Sequence, residues 1–497
     1  MRHSNLPLLA LLAASFVFLG GCRREYPEPE FAYAPNVVQV MKYEITDELS
    51  KPQSEQALSD TAYIVEKYFG TAADPKLPNF DPSKSTDPEE KLALTDLNDL
   101  FGALTDVVSL ERMKPAVGKD GLYQQLCAKC HGTTGDGRGE LAAISSPYPR
   151  DYRLGVFKFK DTARNAKPSR EDLASLIHDG IPGTPMTSIK ALSNGIVDVT
   201  DEDIQALVDY VIYLSMRGQF ERDIVALGVL DGILASDYRL YYPELDPNHE
   251  GQSVPEKPAS EVAPETETVA DAEGEQEVSE DEELEIPEPT LEDFQIADAG
   301  AQDIVAGIAD DWLSAADMAA AVPAPPEGIP VADSHAEFVA LSKGDQAEAL
   351  AKSVARGHEL FLSNITGCNK CHGPTGKGDG GNKDYDDWTK DWTMKVGIDP
   401  QKHQEKLVPL MARGALPPRF AMPRDFTVGV FRGGEKASDL YRRITQGIPG
   451  SPMPSATFVP GKYEQQDVWH LINFIRSLKK VEEVETAPGD DTVAQSE

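Results

Sequence analysis

The sequence predicts an all-α chain in which one helical domain occurs twice. Three observations predict it. The pentapeptide Cys127-Ala128-Lys129-Cys130-His131 returns, in pattern, as Cys368-Asn369-Lys370-Cys371-His372. Each copy is followed in the same order by matching stretches. After the first come "PRDYRLGVFKFK" (149–160), "DLASLIHDGIPGTPM" (172–186) and "DIQALVDYVIYLS" (203–215). After the second come "PRDFTVGVFRGG" (423–434), "DLYRRITQGIPGSPM" (439–453) and "DVWHLINFIRSLK" (467–479). Flanking runs such as "DIVALGVLDGIL" and "AQDIVAGIADDWLSAADMAAAV" carry helical periodicity.

Cys-x-x-Cys-His is the attachment pattern of c-type haem. Residues three and four apart share one helix face, so two thiols and an imidazole can meet one flat ligand. Cys127 and Cys130, and likewise Cys368 and Cys371, are the expected thioether positions; His131 and His372 are the expected iron ligands. Zinc needs four ligands per site, and the two pentapeptides are far apart, each with its own histidine. A redox dithiol of thioredoxin type needs a βαβ surround, which the sequence does not offer. Two covalently bound haem c groups are therefore expected.

Each half resembles a bacterial class I cytochrome c: a helix ending in Cys-x-x-Cys-His-Gly, a loop, a Met preceded by Gly and Pro, and a closing helix. The resemblance covers roughly half the chain, at about 100 residues per copy. It implies two such domains, 114–218 and 356–480, joined by a long, acidic, largely disordered linker (219–355) with flanking helices. No third folded domain is expected. By position, the resemblance also makes Met186 and Met453 the second axial ligands. A thioether is a soft ligand suited to iron. Pro182, Gly183 and Pro185, matched by Pro449, Gly450 and Pro452, stiffen the loop that presents it. A lone Met would read as core filler; two at one place in both copies favour ligation. His178, His470, His358, His403, Met394, Met411, Met422, Met113 and Met216 have no such matched pairing. In the resembled family the first and last helices cross beside an aromatic residue; Tyr123 and Tyr210, and Phe361 and Phe474, hold those positions.

Residues 1–21 read as a signal peptide: Arg2 and His3, then an apolar stretch too short to span a bilayer comfortably, ending in Leu19-Gly20-Gly21-Cys22. That ending resembles a bacterial lipobox, which implies lipidation at Cys22 and a lipid-anchored protein facing the periplasm. Residues 22–113 read as an extended tether followed by a few short helices that pack on the first domain. The insertion at 383–420, with Trp388 and Trp392, reads as a surface elaboration or as a cover or docking face for the haem edge. The tail 481–497 is acidic, with the composition of a disordered segment.

The charge is uneven. The chain has 83 acidic and 47 basic side chains, a net −36. Residues 221–356 hold about 33 acidic against about 6 basic groups, whereas the second haem region is slightly basic at about +5. This balance excludes nucleic acid as a partner. It keeps the linker extended and leaves docking to local patches near the haem edges.

Together these readings predict a dihaem cytochrome that passes electrons in a membrane-associated respiratory chain. The expected partners are a quinol-oxidising complex and a terminal oxidase or reductase, with no small-molecule substrate. The flexible linker would let one domain receive while the other delivers. The rival readings are a dihaem peroxidase, which needs one displaceable iron ligand and an acid–base residue, and a permanent cytochrome subunit of an oxidase or dehydrogenase.

Overall fold

The computed structural model describes residues 31–85, 87–192, 198–233, 239–247 and 289–479. The N-terminal residues that read as a signal peptide, Cys22, most of the acidic linker and the C-terminal tail lie outside the described residues. Among the described residues the regular structure is helical, and β pairing is confined to isolated bridges such as Thr162 with Ala319.

The described N-terminal segment is helical from Val37 onward. It folds into α1 (Val37–Ile45), α2 (Lys51–Phe69) and α3 (Pro88–Leu104), the last two of 19 and 17 residues. The prolines that read as tether composition are helix starters. Pro52 sits in the first turn of α2 behind a reciprocal cap between Ser50 and Gln53, and Pro88 follows the Asp87 cap of α3. Proline is tolerated there because its missing N–H would be unpaired anyway. Gly70 ends α2 at φ 67°, where a side chain would strike the Asp74 carbonyl.

The first haem region contributes α4 (Ala128–His131), α5 (Arg170–Asp179) and α6 (Asp201–Leu230). The closing helix α6 runs past Gly218, the expected domain end, for 30 residues from its Thr200 cap. Its continuation meets α2: Phe220 packs 5.5 Å from Phe69 and 5.4 Å from Tyr68, centroid to centroid. Helix α7 (Leu291–Leu313) closes the other side, with Trp312 edge-on to Phe157 at 5.9 Å. One continuous apolar core joins α2, α3, α6, α7 and the first haem region. The segments flanking the linker thus form a lobe fused to the first domain. Asp209, fully buried on α6, binds Arg112 at 2.9 Å, Arg170 at 2.8 Å and the Ser109 N–H at 2.8 Å. It ties the preceding loop and α5 to α6.

The second haem region begins earlier than residue 356. Helix α8 (His335–Lys343) leads into α9 (Ala347–Leu362), followed by α10 (Cys368–His372), α11 (Gln404–Ala412), α12 (Ala437–Gln446) and α13 (Asp467–Ser477). Helices α9 and α13 cross at Gly357, whose missing side chain leaves room for the His470 carbonyl. Its core is separate and smaller, centred on Phe361, Tyr441, Trp469 and Phe474.

The two haem regions pack directly on one another rather than swinging free on the linker. Arg442 pairs with Asp161 at 3.0 Å, Arg164 donates to the Gln446 carbonyl at 3.0 Å, and Tyr148 donates to the Pro417 carbonyl at 2.9 Å. The inserted segment also packs inward: Trp392, Ile398, Leu407 and Leu410 form a cluster with Val38 of α1. The long-range contacts that hold it there have no local pattern in the sequence.

Candidate haem sites

Each Cys-x-x-Cys-His motif lies on a short helix, ended by Gly132 at φ 73° and by Gly373 at φ 72°. That left-handed turn favours glycine and releases the chain at once after the histidine. All four cysteines are unpaired and half-buried. Burial, with the neighbouring Cys130, pushes the Cys127 thiol up to about 12, so it is a neutral thiol.

The imidazoles are oriented alike. His131 Nδ1 donates to the Arg150 carbonyl at 3.2 Å, and His372 Nδ1 donates to the Arg424 carbonyl at 3.2 Å. Fixing Nδ1 as the donor leaves Nε2 as the lone-pair nitrogen for a metal. Each ring is also stacked: His131 on Tyr152 at 5.0 Å and 13°, His372 on Phe426 at 4.5 Å and 20°. Burial pushes His131 down to about 4 and lowers His372 as well. Both imidazoles are therefore neutral at physiological pH, the form that binds iron.

The carbonyl and the ring come from "PRDY" and "PRDF", stretches quoted above for their repetition alone. Each forms a 3₁₀ turn (Tyr152–Leu154; Phe426–Val428), capped by Asp151 or Asp425 and ended by Gly155 at φ 62° or Gly429 at φ 69°. Sequence reasoning gave these segments no role, although their repetition was the available signal.

The methionine loops are built twice on one plan. Helices α5 and α12 end at Gly180 (φ 71°) and Gly447 (φ 66°). Ile181 N–H then donates to the Met186 carbonyl at 2.8 Å, and Ile448 N–H to the Met453 carbonyl at 3.2 Å. Met186 N–H donates to Thr184 Oγ1 at 3.1 Å, and Met453 N–H to Ser451 Oγ at 3.3 Å. The other candidates have occupations elsewhere. His178 pairs with Asp179 at 2.6 Å, and His470 Nδ1 bonds Ser353 at 2.7 Å. His403 Nδ1 accepts from the Asp399 N–H at 3.0 Å, and His358 lies against Phe474 at 4.9 Å. Met113 and Met216 are core residues; Met394, Met411 and Met422 are exposed. The aromatic positions at the helix crossings do meet: Tyr123 with Tyr210 at 5.1 Å, and Phe361 with Phe474 at 5.1 Å.

The donor set fits a covalently attached haem in each region. Paired thiols and a neutral, oriented imidazole stand on one short helix, and the arginines whose carbonyls orient the imidazoles have buried side-chain atoms (Arg150 Nη1, Arg424 Nε) with no hydrogen-bond partner among the described residues. These features define a haem-binding helical protein. The sequence model of the cytochrome c family matches residues 118–215 and 354–479, so the chain carries two cytochrome c domains. Its domains bind haem c covalently and transfer electrons. Among solved structures, a chain of the Kuenenia stuttgartiensis reducing HAO-like protein complex is similar at 18% identity. The match covers 75% of this chain and 97% of that one with a TM-score of 0.36, too low to carry either fold or function. Comparison with curated proteins gave no match.

Proposed function

We propose that the chain is a dihaem electron carrier in which His131 with Met186, and His372 with Met453, close both axial positions of their irons. The observation that carries this reading is the duplication of the whole clamp: thiol pair, carbonyl-oriented imidazole and hydrogen-bonded methionine loop. Bound haem c supplies a one-electron couple. The chain's own part is to hold the imidazole neutral and aimed, to present the thioether from a stiff loop, and to exclude water with Tyr152, Phe157 and Phe426. With an imidazole and a thioether both held in place by the chain, the bound group would transfer one electron with little movement of these residues, and they would leave no open position for peroxide. The lipobox-like Leu19-Gly20-Gly21-Cys22 supports lipid anchoring at Cys22 on the periplasmic face of a bacterial membrane. Such an anchor suits a carrier between a quinol-oxidising complex and a terminal oxidase or reductase.

The test is optical and magnetic. Met186→Ala or Met453→Ala leaves both haems attached and removes the low-spin His/Met signature of one site. Retention of that signature in the double variant would remove the axial assignment. A high-spin ferric signal in the unmodified resting protein would favour a peroxidase instead.

A further inference from the structure

The two clamps touch each other, and they do so reciprocally. Arg150, whose carbonyl orients His131, lays its guanidinium over the ring of Trp388 in the second domain at 3.7 Å. That ring fills the space a side chain at Gly450 would need, in the loop leading to Met453, and Arg150 Nη1 lies 3.2 Å from the same position. In the other direction, the Arg424 carbonyl orients His372, while its guanidinium lies 3.3 Å from the side-chain position of Gly183, in the loop leading to Met186. Arg432 Nη2 donates to the Gly183 carbonyl at 3.2 Å. Each imidazole's support thus reaches the methionine loop of the other site. A duplicated chain folded on itself in this way reproduces the self-complementary interface of a two-fold dimer.

The junction is a cluster of cations with no ion-pair partner among the described residues. Lys158 Nζ also lies over the Trp388 ring, 4.7 Å from its centroid. Burial, then repulsion from Arg150, pushes its amine down to about 7; Asp386 opposes this, and Arg432 adds to it. Arg432 in turn feels Arg424. Arg150, Lys158, Arg424 and Arg432 therefore form one run across the junction, two from each domain. The carboxylates nearest to it, Asp386, Asp387, Asp151 and Asp425, act on these cations only at longer range. None of the four cations makes an ion pair among the described residues. Arg150 Nη1, Arg424 Nε and Arg432 Nε are buried with no hydrogen-bond partner there. Desolvated cations packed together are costly unless anions reach them, and unsatisfied buried donors of this kind mark a missing ligand. Paired guanidinium groups are matched to carboxylates. Each haem brings two propionate carboxylates.

We propose that Arg150, Lys158, Arg424 and Arg432 form a single carboxylate-binding cluster shared by the propionates of both haems, so that the two haem edges meet at the domain junction and electrons pass between them within the chain. This rests on the two-haem reading above. In the transfer one iron is oxidised as the other is reduced, with no bond made or broken.

The test is a redox titration of full-length protein carrying Arg150→Gln or Arg424→Gln, with covalent haem quantified in the same sample. Loss of a cation beside the propionates favours the ferric form. A shared cluster lowers both midpoint potentials in each variant, and Arg424→Lys restores both. If each Gln variant lowers one midpoint only, or neither, while two haems per chain remain, the shared cluster is wrong and the two-haem reading stands. Fewer than two haems in the unmodified chain would sink that reading itself. Should the variants fail to fold, the unmodified protein decides by electron paramagnetic resonance. Mutually relaxed, spin-coupled ferric signals are expected, and two independent, uncoupled signals overturn the proposal.

Discussion

His131 and His372 sit in matched surroundings, but the helices behind them are braced in different ways. The first clamp leans on α6, whose 30 residues run out of the haem domain into a core shared with α2, α3 and α7. The second leans on α9 and on α13, which has 11 residues, around a core of its own. The Cys-x-x-Cys-His and methionine-loop segments are nearly the same letter for letter in the two halves, while the scaffold around them differs. Haem chemistry constrains the clamp, and only packing constrains what lies behind it. One consequence is that the first site shares its core with the N-terminal lobe, whereas the second is built around a core of its own.

The largest effects should come from the clamp and should not distinguish the halves. His131→Ala and His372→Ala each remove the oriented imidazole, and each is expected to cost haem binding at its own site. Haem quantitation per chain should fall in both variants; equal haem content in either would break the equivalence.

The next effects should separate the halves. Phe69→Ala opens a cavity where α2 meets Phe220 and Tyr213, at a cost of about 3–5 kcal/mol. Asp209→Ala leaves Arg112 and Arg170 without their buried carboxylate, at a similar cost of about 3–5 kcal/mol. Both should lower the melting of the first domain, followed by its haem Soret band and by hydrogen exchange, and leave the second domain's protection nearly unchanged. Equal losses in both domains would show that the two cores unfold as one.

The smallest effect concerns the contact of the insertion in the second domain with α1 of the lobe. Lys42 of α1 reaches Asp391 of the insertion at 3.3 Å, with Arg222 at 3.8 Å and Lys395 at 3.6 Å. Burial would raise the Asp391 carboxyl, but Lys42, Arg222 and Lys395 hold it below its usual range. The Lys42 amine is itself lowered, chiefly by burial. A depressed folded pKa contributes stability that is fully present above the unfolded value of about 3.9 and is lost as pH falls through the lower folded value. Acidification below about pH 4 should therefore loosen the insertion from α1, read as increased exchange around Trp392. Asp391→Asn should remove that pH step without changing haem content.

The comparison also separates what the sequence discloses from what it hides. The clamp was legible because the chemistry and its repetition coincide: thiol pair, imidazole and methionine loop each occur twice at one spacing. Tyr152 and Phe426 were visible in the repeat, but their stacking on the imidazole was not, because contact across a loop has no period. The length of α2 and α3 was less legible, since Pro52, Pro88 and the polar residues that start these helices have the composition of a tether. Only the packing of Ile64, Tyr68 and Phe69 against α6 makes them helices of a core. The inserted Trp388 looked like a surface feature. Its partners, Arg150 and Lys158, lie more than two hundred residues away in the chain, beyond any local pattern.

The most direct test of the central claim is a pyridine haemochrome assay on purified protein, with chain concentration from amino-acid analysis. The account predicts two haems per polypeptide, both remaining attached after acid–acetone extraction because Cys127, Cys130, Cys368 and Cys371 hold them. A value of one, or haem released by the extraction, would contradict it.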